Sequence, residues 1–189
     1  MNPLRPIIAA LLLTSALLCA QPSPVLELGG FWSAADSRLG LASGAGWEVA
    51  LYLPLTGPVH LGVTAAHRAT TSPVERPAGP AAVNGALSLL LIRVGTDHPL
   101  GSVAALAPYL AAGVARQSRD ALTVDLGALG SRTLASRSDH HMVVRLAFPM
   151  RVPAAGRIRL FAGPVLDYRA ADGGGWNGSL NGGIALAIR

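Results

Sequence analysis

The sequence predicts an all-β protein, an eight-stranded antiparallel up-and-down transmembrane β-barrel that follows a cleaved N-terminal signal peptide. Eight stretches alternate apolar residues with small or polar ones at period two, the pattern of strands in a sheet with two different faces. A leader with the features of an export signal precedes them. Short and long connections alternate between them, as they do in membrane barrels.

The leader occupies residues 1–20. It has one positive charge at Arg5, an apolar run over 7–20 and a small residue, Ala20, at its end. These are the three parts of a secretory signal peptide, and the apolar run is too short to span a bilayer comfortably. We expect cleavage after Ala20, which leaves 21–189 as a single barrel domain.

The chain contains a single cysteine, Cys19. If Cys19 were the acylated first residue of a lipoprotein, Leu18 would stand where a small residue is wanted, so this is the weaker alternative. Cleavage after Ala20 leaves no cysteine at all. A disulfide framework, a thiolate metal site and a cysteine nucleophile are then excluded.

The composition is poor in charge for a soluble domain. Hydrophobic residues make up 51% of the chain and charged residues only 13%, whereas about a quarter of the residues are charged in an average soluble domain. The net charge of +5 is modest, and the chain has no basic run. No nucleic-acid partner is therefore expected.

The period-two pattern sets the bounds of the strands. The predicted strands are 25–34, 45–55, 59–68, 83–94, 104–116, 141–152, 157–168 and 176–188. Strand 83–94 begins with Val83, Leu87 and Leu89 on its apolar face and then becomes uniformly apolar. The residues expected to face lipid by their shared phase are Val49, Leu51, Leu61, Leu146, Leu160 and Leu186.

The connections indicate which end of the barrel faces the periplasm. Turn residues mark two short connections, 56–58 and 153–156, whereas the connections 70–82 and 117–140 are long. Membrane barrels have short periplasmic turns and long external loops. Every short turn falls on one side if strand 25–34 starts in the periplasm. Prolines within the strands, such as Pro149 and Pro164, predict local bulges.

Alternation alone does not distinguish a membrane barrel from a soluble lipocalin-like barrel that binds an apolar ligand. The second face of these strands is rich in Gly, Ala, Ser and Asn, which suits a crowded interior. Four large aromatic residues of the apolar face fall at the external strand ends, where an interfacial girdle is expected; they are Trp32, Trp47, Tyr168 and Trp176. Arg93 and Arg116 fall on the lipid-facing side, near strand ends from which they can snorkel.

Isolated charges on the small-residue face point into the lumen. They are Glu27, Glu48, Arg145, Arg151, Arg159 and Asp167. Eight strands leave room only for side chains, so we expect paired structural charges and no open pore. Counted from the short turns, Glu27, Arg151 and Arg159 form a lower cluster, and Glu48 and Arg145 form a higher one.

The chain resembles the small outer-membrane barrels of the OmpA/OmpX type in its strand count, its alternation of apolar residues and its unequal loop lengths. The resemblance is architectural and covers nearly all of the mature length. It implies an outer-membrane location, lipid as the main partner, a monomeric state, and a structural, envelope-integrity or surface-binding role. The loop 117–140 carries mixed charges, and a cell-surface or envelope polysaccharide is its candidate ligand.

Clusters of reactive residue types are few. Ser138, Asp139, His140 and His141 hold the residue types of a hydrolytic triad, but neighbours on an extended chain point in opposite directions. We interpret them as a polar loop end, and His67 with Arg68 in the same way. The alternative function is a lipid-modifying barrel enzyme, a lipid A deacylase or acyltransferase, for which the sequence offers no His-x-Ser pair. No enzyme activity, catalytic residue, cofactor or metal site is predicted.

Overall fold

The computed structural model describes residues 23–35, 42–55, 57–74, 81–125, 130–170 and 174–188. The predicted signal peptide, 1–20, lies outside these residues. In the described part of the chain, no helix is long and apolar enough to cross a membrane. The strands of that part are β1 (Val25–Ser33), β2 (Gly44–Pro54), β3 (Val59–Val74), β4 (Ala81–Thr96), β5 (His98–Leu100), β6 (Ala104–Leu106), β7 (Tyr109–Arg119), β8 (Leu122–Asp125), β9 (Ser131–Leu134), β10 (Arg137–Ala147), β11 (Met150–Ala155), β12 (Ile158–Ala170) and β13 (Gly175–Ala187).

Eight long strands close into a ring. Its order is β1, β2, β3, β4, β7, β10, β12 and β13, and each strand is antiparallel to both neighbours. Pairing of β1 with β13 closes the ring, from Val25 opposite Ala187 to Ser33 opposite Ser179. The predicted eight-stranded antiparallel up-and-down barrel is confirmed.

The two ends of the barrel differ. At the turn end lie the tight turns at Gly57 and Gly156, both of which have positive φ angles of 64° and 54° that glycine adopts without steric cost. At the loop end lie the connections from β1 to β2, β3 to β4, β7 to β10 and β12 to β13. The prediction of a turn over 153–156 is wrong in its bounds, because β11 continues through Pro153 to Ala155, which pairs with Ile158.

Prolines interrupt two of the predicted strands near the turn end. The predicted strand 104–116 is split into β6 and β7 at Pro108, and the predicted strand 141–152 is split into β10 and β11 at Pro149. Because proline has no N–H to donate, the ladder is interrupted there. The carbonyls of both prolines still accept hydrogen bonds, from the N–H groups of Thr96 at 3.0 Å and Ala107 at 2.9 Å.

The predicted long connections are partly strand. β3 and β4 remain paired as far as Val74 opposite Ala81, so most of 70–82 is a hairpin, and only 75–80 lies outside the described residues. Within 117–140, β7 and β10 stay paired to Arg119 opposite Arg137, and β8 pairs with β9. Alternation did not mark these extensions because a hairpin beyond the barrel wall has no single apolar face.

The barrel is apolar outside and charged inside. Exposed outward side chains include Leu28, Trp32, Leu110, Val114, Leu160, Leu166, Leu180 and Ile184. Buried inward side chains include Glu27, Glu48, Arg68, Arg93, Arg145, Arg151, Asp167 and Arg169. A soluble lipocalin-like barrel would have the opposite arrangement, so this distribution contradicts that alternative.

The phase of the fourth barrel strand differs from the prediction. Val83, Leu87 and Leu89 are buried in the lumen, and Arg93 on the same face is 0% exposed. The prediction that Arg93 faces lipid is therefore wrong. The sequence of this strand is apolar on both faces, so its alternation could not fix the side to which Arg93 points. Arg116, by contrast, is on the outward face and exposed, as predicted.

The rows of paired residues spiral around the barrel. The row that starts at Val25 near the turn end passes through Tyr52, Gly62, Arg93, Ala111, Arg145 and Asp167, and it reaches Asn177. Asn177 lies at the loop end of β13, beyond Ser179, which pairs with the last residue of β1. Each row therefore climbs toward the loop end, the stagger expected of tilted strands.

Candidate functional site

A lower charge network lies in the lumen near the turn end. The carboxylate of Glu27 accepts hydrogen bonds from Nη1 of Arg93 at 2.6 Å and from Nη2 of Arg151 at 2.7 Å. Arg151 also donates to Asp97, which precedes β5. Both arginines and Glu27 are buried, so their charges are balanced by one another and not by solvent.

Aromatic rings enclose the centre of this lower network. The guanidinium carbon of Arg93 lies 4.5 Å from the ring centre of Tyr52 and 4.3 Å from that of Tyr109. Arg151 lies 5.0 Å from the same Tyr52 ring. A desolvated guanidinium over an aromatic face gains about 2 kcal/mol. The two tyrosines therefore hold Arg93 in the middle of the bore as well as filling the space around it.

An upper charge network lies closer to the loop end. Arg145 donates from Nε and Nη2 to the two carboxylate oxygens of Asp167, at 2.7 and 3.0 Å, which is the bidentate geometry that suits a guanidinium. The Nη1 of Arg145 donates to Glu48. One buried arginine thus bridges two buried carboxylates. Asp167 is its cross-strand neighbour on β12, and Glu48 comes from β2, on the opposite side of the ring from β10.

The two networks differ from the predicted clusters in their members. Glu27 and Arg151 meet in the lower network, and Glu48, Arg145 and Asp167 meet in the upper one. Arg159 was expected in the lower cluster but is exposed at the turn end, and it has no ion pair with any described residue. It lies close to the start of β12, where the lumen opens to solvent.

Sequence reasoning missed two members of the lower network. Arg93 was assigned to the lipid-facing side, and Asp97 lies in a connection whose position depends on the break at Pro108. No sequence signal marked the face of Arg93, because the run from Leu89 to Ile92 before it is apolar on both faces.

A water-accessible basin lies outside the lower network at the turn end. One cavity of about 460 Å³ is lined by Asp97, Ser102, Arg151 and Arg159, and a second of about 250 Å³ shares Asp97 and Arg159 with it. Because Arg151 is 1% exposed, the basin ends at the network. Both cavities are lined by residues of the turn end.

The predicted aromatic girdle lies on the outer wall. Trp32, Trp47 and Trp176 are more than half exposed, and Tyr168 packs against Trp176 with ring centres 5.2 Å apart. These residues lie toward the loop ends of their strands. Their arrangement on the outer wall is the one that an interfacial belt requires, because amphipathic rings favour the headgroup region.

The polar tetrad at the start of β10 does not form a catalytic triad. Ser138 accepts a hydrogen bond from Arg116 at 2.9 Å, and Asp139 accepts one from Arg137 at 2.8 Å. His140 is exposed on the outer face, and His141 is on the opposite face of the strand. A different pair does meet: His67 Nδ1 lies 3.0 Å from Ser88 Oγ on the outer wall.

His67 lacks the third member of a hydrolytic triad. Across the described ranges, no carboxylate is hydrogen-bonded or ion-paired to it. The ring of Trp47 lies beside His67 instead, with centres 5.7 Å apart. No group of three His, Cys, Asp or Glu side chains among the described residues could hold a metal ion.

Solved structures of outer-membrane barrels have this architecture. The crystal structure of Neisserial surface protein A (NspA) aligns with 87% of this chain and 97% of its own, with a TM-score of 0.58 and 15% sequence identity. The fold is that of a small outer-membrane β-barrel. This agrees with the resemblance to OmpA/OmpX-type barrels inferred from the sequence.

Two further structures are similar to this chain at lower scores. The N-terminal β-barrel domain of Pseudomonas aeruginosa OprF covers 88% of the chain and 98% of its own, with a TM-score of 0.49 and 16% identity. Yersinia pestis Ail in a phospholipid bilayer nanodisc covers 88% and 100%, with a TM-score of 0.47 and 13% identity. No protein-family model and no curated protein sequence matches the chain.

Proposed function

We propose that the protein is an integral outer-membrane barrel without an open pore, which stabilises the envelope and presents its loop-end hairpins for surface binding. The observation that carries the proposal is the inverted distribution of polarity, with large apolar side chains exposed outside and arginines and carboxylates buried inside. Lipid is the solvent that stabilises such an outer wall. In water this wall would be an aggregation hazard.

The closed state is supported by the content of the lumen. Beside the two charge networks, buried apolar side chains fill the bore, among them Phe31, Leu89, Leu91, Val143 and Val165. An ion that crosses would have to displace Arg93 from Glu27 and from two tyrosine rings. Each buried charge that loses its partner costs several kcal/mol. A conducting path would need a different arrangement of these side chains.

The surface-binding role is supported by the hairpins at the loop end. β3 and β4 stay paired for seven residue pairs beyond His67, from Arg68 opposite Leu87 to Val74 opposite Ala81, or about 20 Å of strand at ~3.3 Å per residue. The region 117–140 adds the β8–β9 hairpin, in which Thr123 and Thr133 share a hydrogen bond of 3.0 Å. Exposed charges such as Arg132 and Arg137 there suit a polysaccharide partner.

Conductance tests the closed state. The refolded wild-type protein in planar bilayers should give no steady single-channel steps. A quadruple variant, Glu27→Ala/Arg93→Ala/Asp97→Asn/Arg151→Ala, removes all four charges of the lower network and should raise the leak. Heat-modifiable mobility on gels would establish that both proteins are folded. Steady conductance by the folded wild type would overturn the closed state.

Replacement of the β8–β9 hairpin tests the surface role. A variant with a short Gly-Ser link in place of 122–134 should keep the heat-modifiable mobility of a folded barrel, because surface loops contribute little to closure entropy. Its cells should lose binding of labelled polysaccharides, one neutral (dextran) and one acidic (polygalacturonate). Equal binding by the two proteins, or binding by neither, would remove the hairpin from the proposed role.

A lipid-modifying barrel enzyme is the second candidate, and the hydrogen bond between His67 and Ser88 favours it. The pair lies on the outer wall, where an acyl chain could reach it. Its weakness is the absence of a carboxylate bonded to His67 among the described residues. Fatty-acid release from lipid vesicles that is lost in Ser88→Ala would establish this candidate, and no release by the wild type would end it.

A further inference from the structure

The outer wall carries a polar patch directly beyond its apolar band. His67 on β3 pairs with Ser88 on β4, and Ser88 pairs with Arg116 on β7. Arg116 donates from Nε to Ser138 Oγ on β10 at 2.9 Å. His67, Ser88 and Arg116 point outward, because their strand neighbours Arg68, Leu87, Leu89, Ala115 and Gln117 are buried in the lumen. Ser138 has the phase of the exposed Met142 and Val144 on β10, so it points outward as well. These four residues are called the outer polar patch.

Apolar side chains adjoin the patch on the side of the turn end. Two residues closer to the turn end on β3, β4 and β7, the outward row consists of Ala65, Leu90 and Val114. On β10 this row continues to Met142, two residues closer to the turn end than His140, the cross-strand partner of Arg116. The surface therefore changes from apolar to polar within one row. Trp47, which pairs with His67, marks this level as the membrane interface. The row of paired residues that runs from Trp47 through His67 and Ser88 to Arg116 climbs toward the loop end. Arg116 therefore lies closer to the loop end than Trp47 does, at the depth of lipid headgroups.

The charge of Arg116 is not neutralised within the described residues. It is exposed, it donates from Nε to a hydroxyl, and it forms no ion pair there. Asp139, the acidic residue of β10 next to Ser138 in the sequence, is ion-paired with Arg137 and not with Arg116. The hydrogen bonds fix the side chains of His67 and Arg116 in place, so the remaining guanidinium N–H groups are free to bind an anion. A guanidinium, a hydroxyl and an imidazole suit phosphate oxygens.

We propose that the outer polar patch, His67, Ser88, Arg116 and Ser138, binds the phosphate of a lipid headgroup, with the acyl chains of that lipid against Leu90 and Val114. Free phosphate would be held by the polar row alone, whereas a lipid also uses the apolar row beneath it. The inference needs a barrel embedded in lipid. It does not depend on the closed lumen or on polysaccharide binding, so it can fail while those proposals stand.

Lipid retention tests the proposal. The protein is purified from phosphatidylcholine vesicles doped with dimyristoyl phosphatidic acid or with dimyristoylglycerol, which has the same chains and no phosphate. Native mass spectrometry then measures the lipid that each protein retains. The wild type should retain phosphatidic acid in preference to dimyristoylglycerol. Arg116→Gln should reduce that retention by about tenfold, as expected for the loss of one charge-assisted pair.

A matched control separates this site from general electrostatics. Arg137→Gln removes the same charge from an arginine on a neighbouring strand at the same end, 72% exposed and outside the patch. It should retain phosphatidic acid like the wild type, and both variants should keep heat-modifiable mobility. Equal losses in the two variants, equal retention of dimyristoylglycerol, or displacement of the lipid by inorganic phosphate would each overturn the proposal. So would Ser88-dependent release of fatty acid, which would assign the patch to hydrolysis.

Discussion

Arg93 donates a hydrogen bond from Nη1 to Oε2 of Glu27 at 2.6 Å, inside the lumen. The two residues are 66 positions apart in the chain and come from β4 and β1, which are not neighbours in the barrel. The bond therefore spans the bore and does not follow a sheet ladder. Since Glu27 also accepts from Arg151, one carboxylate is the centre of the lower network.

Glu27→Gln should destabilise the barrel strongly. The substitution keeps the shape of the side chain but leaves two buried arginines without their shared counter-charge. Breaking a buried pair in this way costs about 3–5 kcal/mol. The free energy of unfolding, measured by urea titration in lipid vesicles, should fall by that amount. The exposed Asp120→Asn serves as a control and should change it by less than about 0.5 kcal/mol.

Arg145→Leu alone should destabilise the barrel more than a variant in which its two carboxylate partners are also replaced. Alone, it leaves the buried carboxylates of Glu48 and Asp167 unpaired. The triple variant Arg145→Leu/Glu48→Gln/Asp167→Asn removes all three charges and should recover part of the loss, because a buried network can be replaced by neutral groups at little cost. Urea unfolding of the single and triple variants measures the difference. Independent, additive effects of the three substitutions would argue against a coupled network.

Leu28→Arg should reveal the lipid-facing surface. Leu28 lies halfway along β1 and is 42% exposed on the outer wall. An arginine there would face the hydrocarbon and should cost about 2–4 kcal/mol, against about 0–1 kcal/mol near the interface. Ile188→Arg, just past the end of β13, is the matched interfacial control. Equal costs for the two variants would contradict a bilayer around the barrel.

The loop end should face the cell exterior. A protease site inserted between Asp125 and Gly130 should be cut by protease added to intact cells, whereas the same site between Gly156 and Arg157 should be protected. The second insertion should also destabilise the barrel, because Gly156 has a positive φ and connects two paired strands. Cutting only at the second site would reverse the orientation.

The alternation of apolar residues was sufficient to predict the barrel. Its signal is strong where one face is apolar and the other is not, as in the strand that contains Val144 and Leu146. It failed at Arg93, because the run Leu89 to Ile92 is apolar on both faces. The ends of β3 and β7 were also missed, since paired strands outside the membrane need no apolar face.

The charge networks could be anticipated only in part. Glu48, Arg145 and Asp167 were all predicted to face the lumen, but their meeting depends on the stagger of the strands, which the sequence does not state. The exposure of Arg159 depends in the same way on where β12 begins relative to the barrel rim. Contacts between distant strands follow from register, and register is set by the closed ring as a whole.

Site-directed spin labelling along β13 tests the central claim most directly. Single cysteines are introduced at the outward positions Leu180, Ile184 and Leu186 and at the inward positions Asn181 and Ala185, in protein refolded into lipid vesicles. Collision rates with oxygen, which concentrates in the bilayer, should be high at the outward positions and low at the inward ones, with a period of two residues. High oxygen accessibility at Asn181 and Ala185, or equal access of a water-soluble nickel complex to all five positions, would contradict a lipid-embedded barrel with its charges inside.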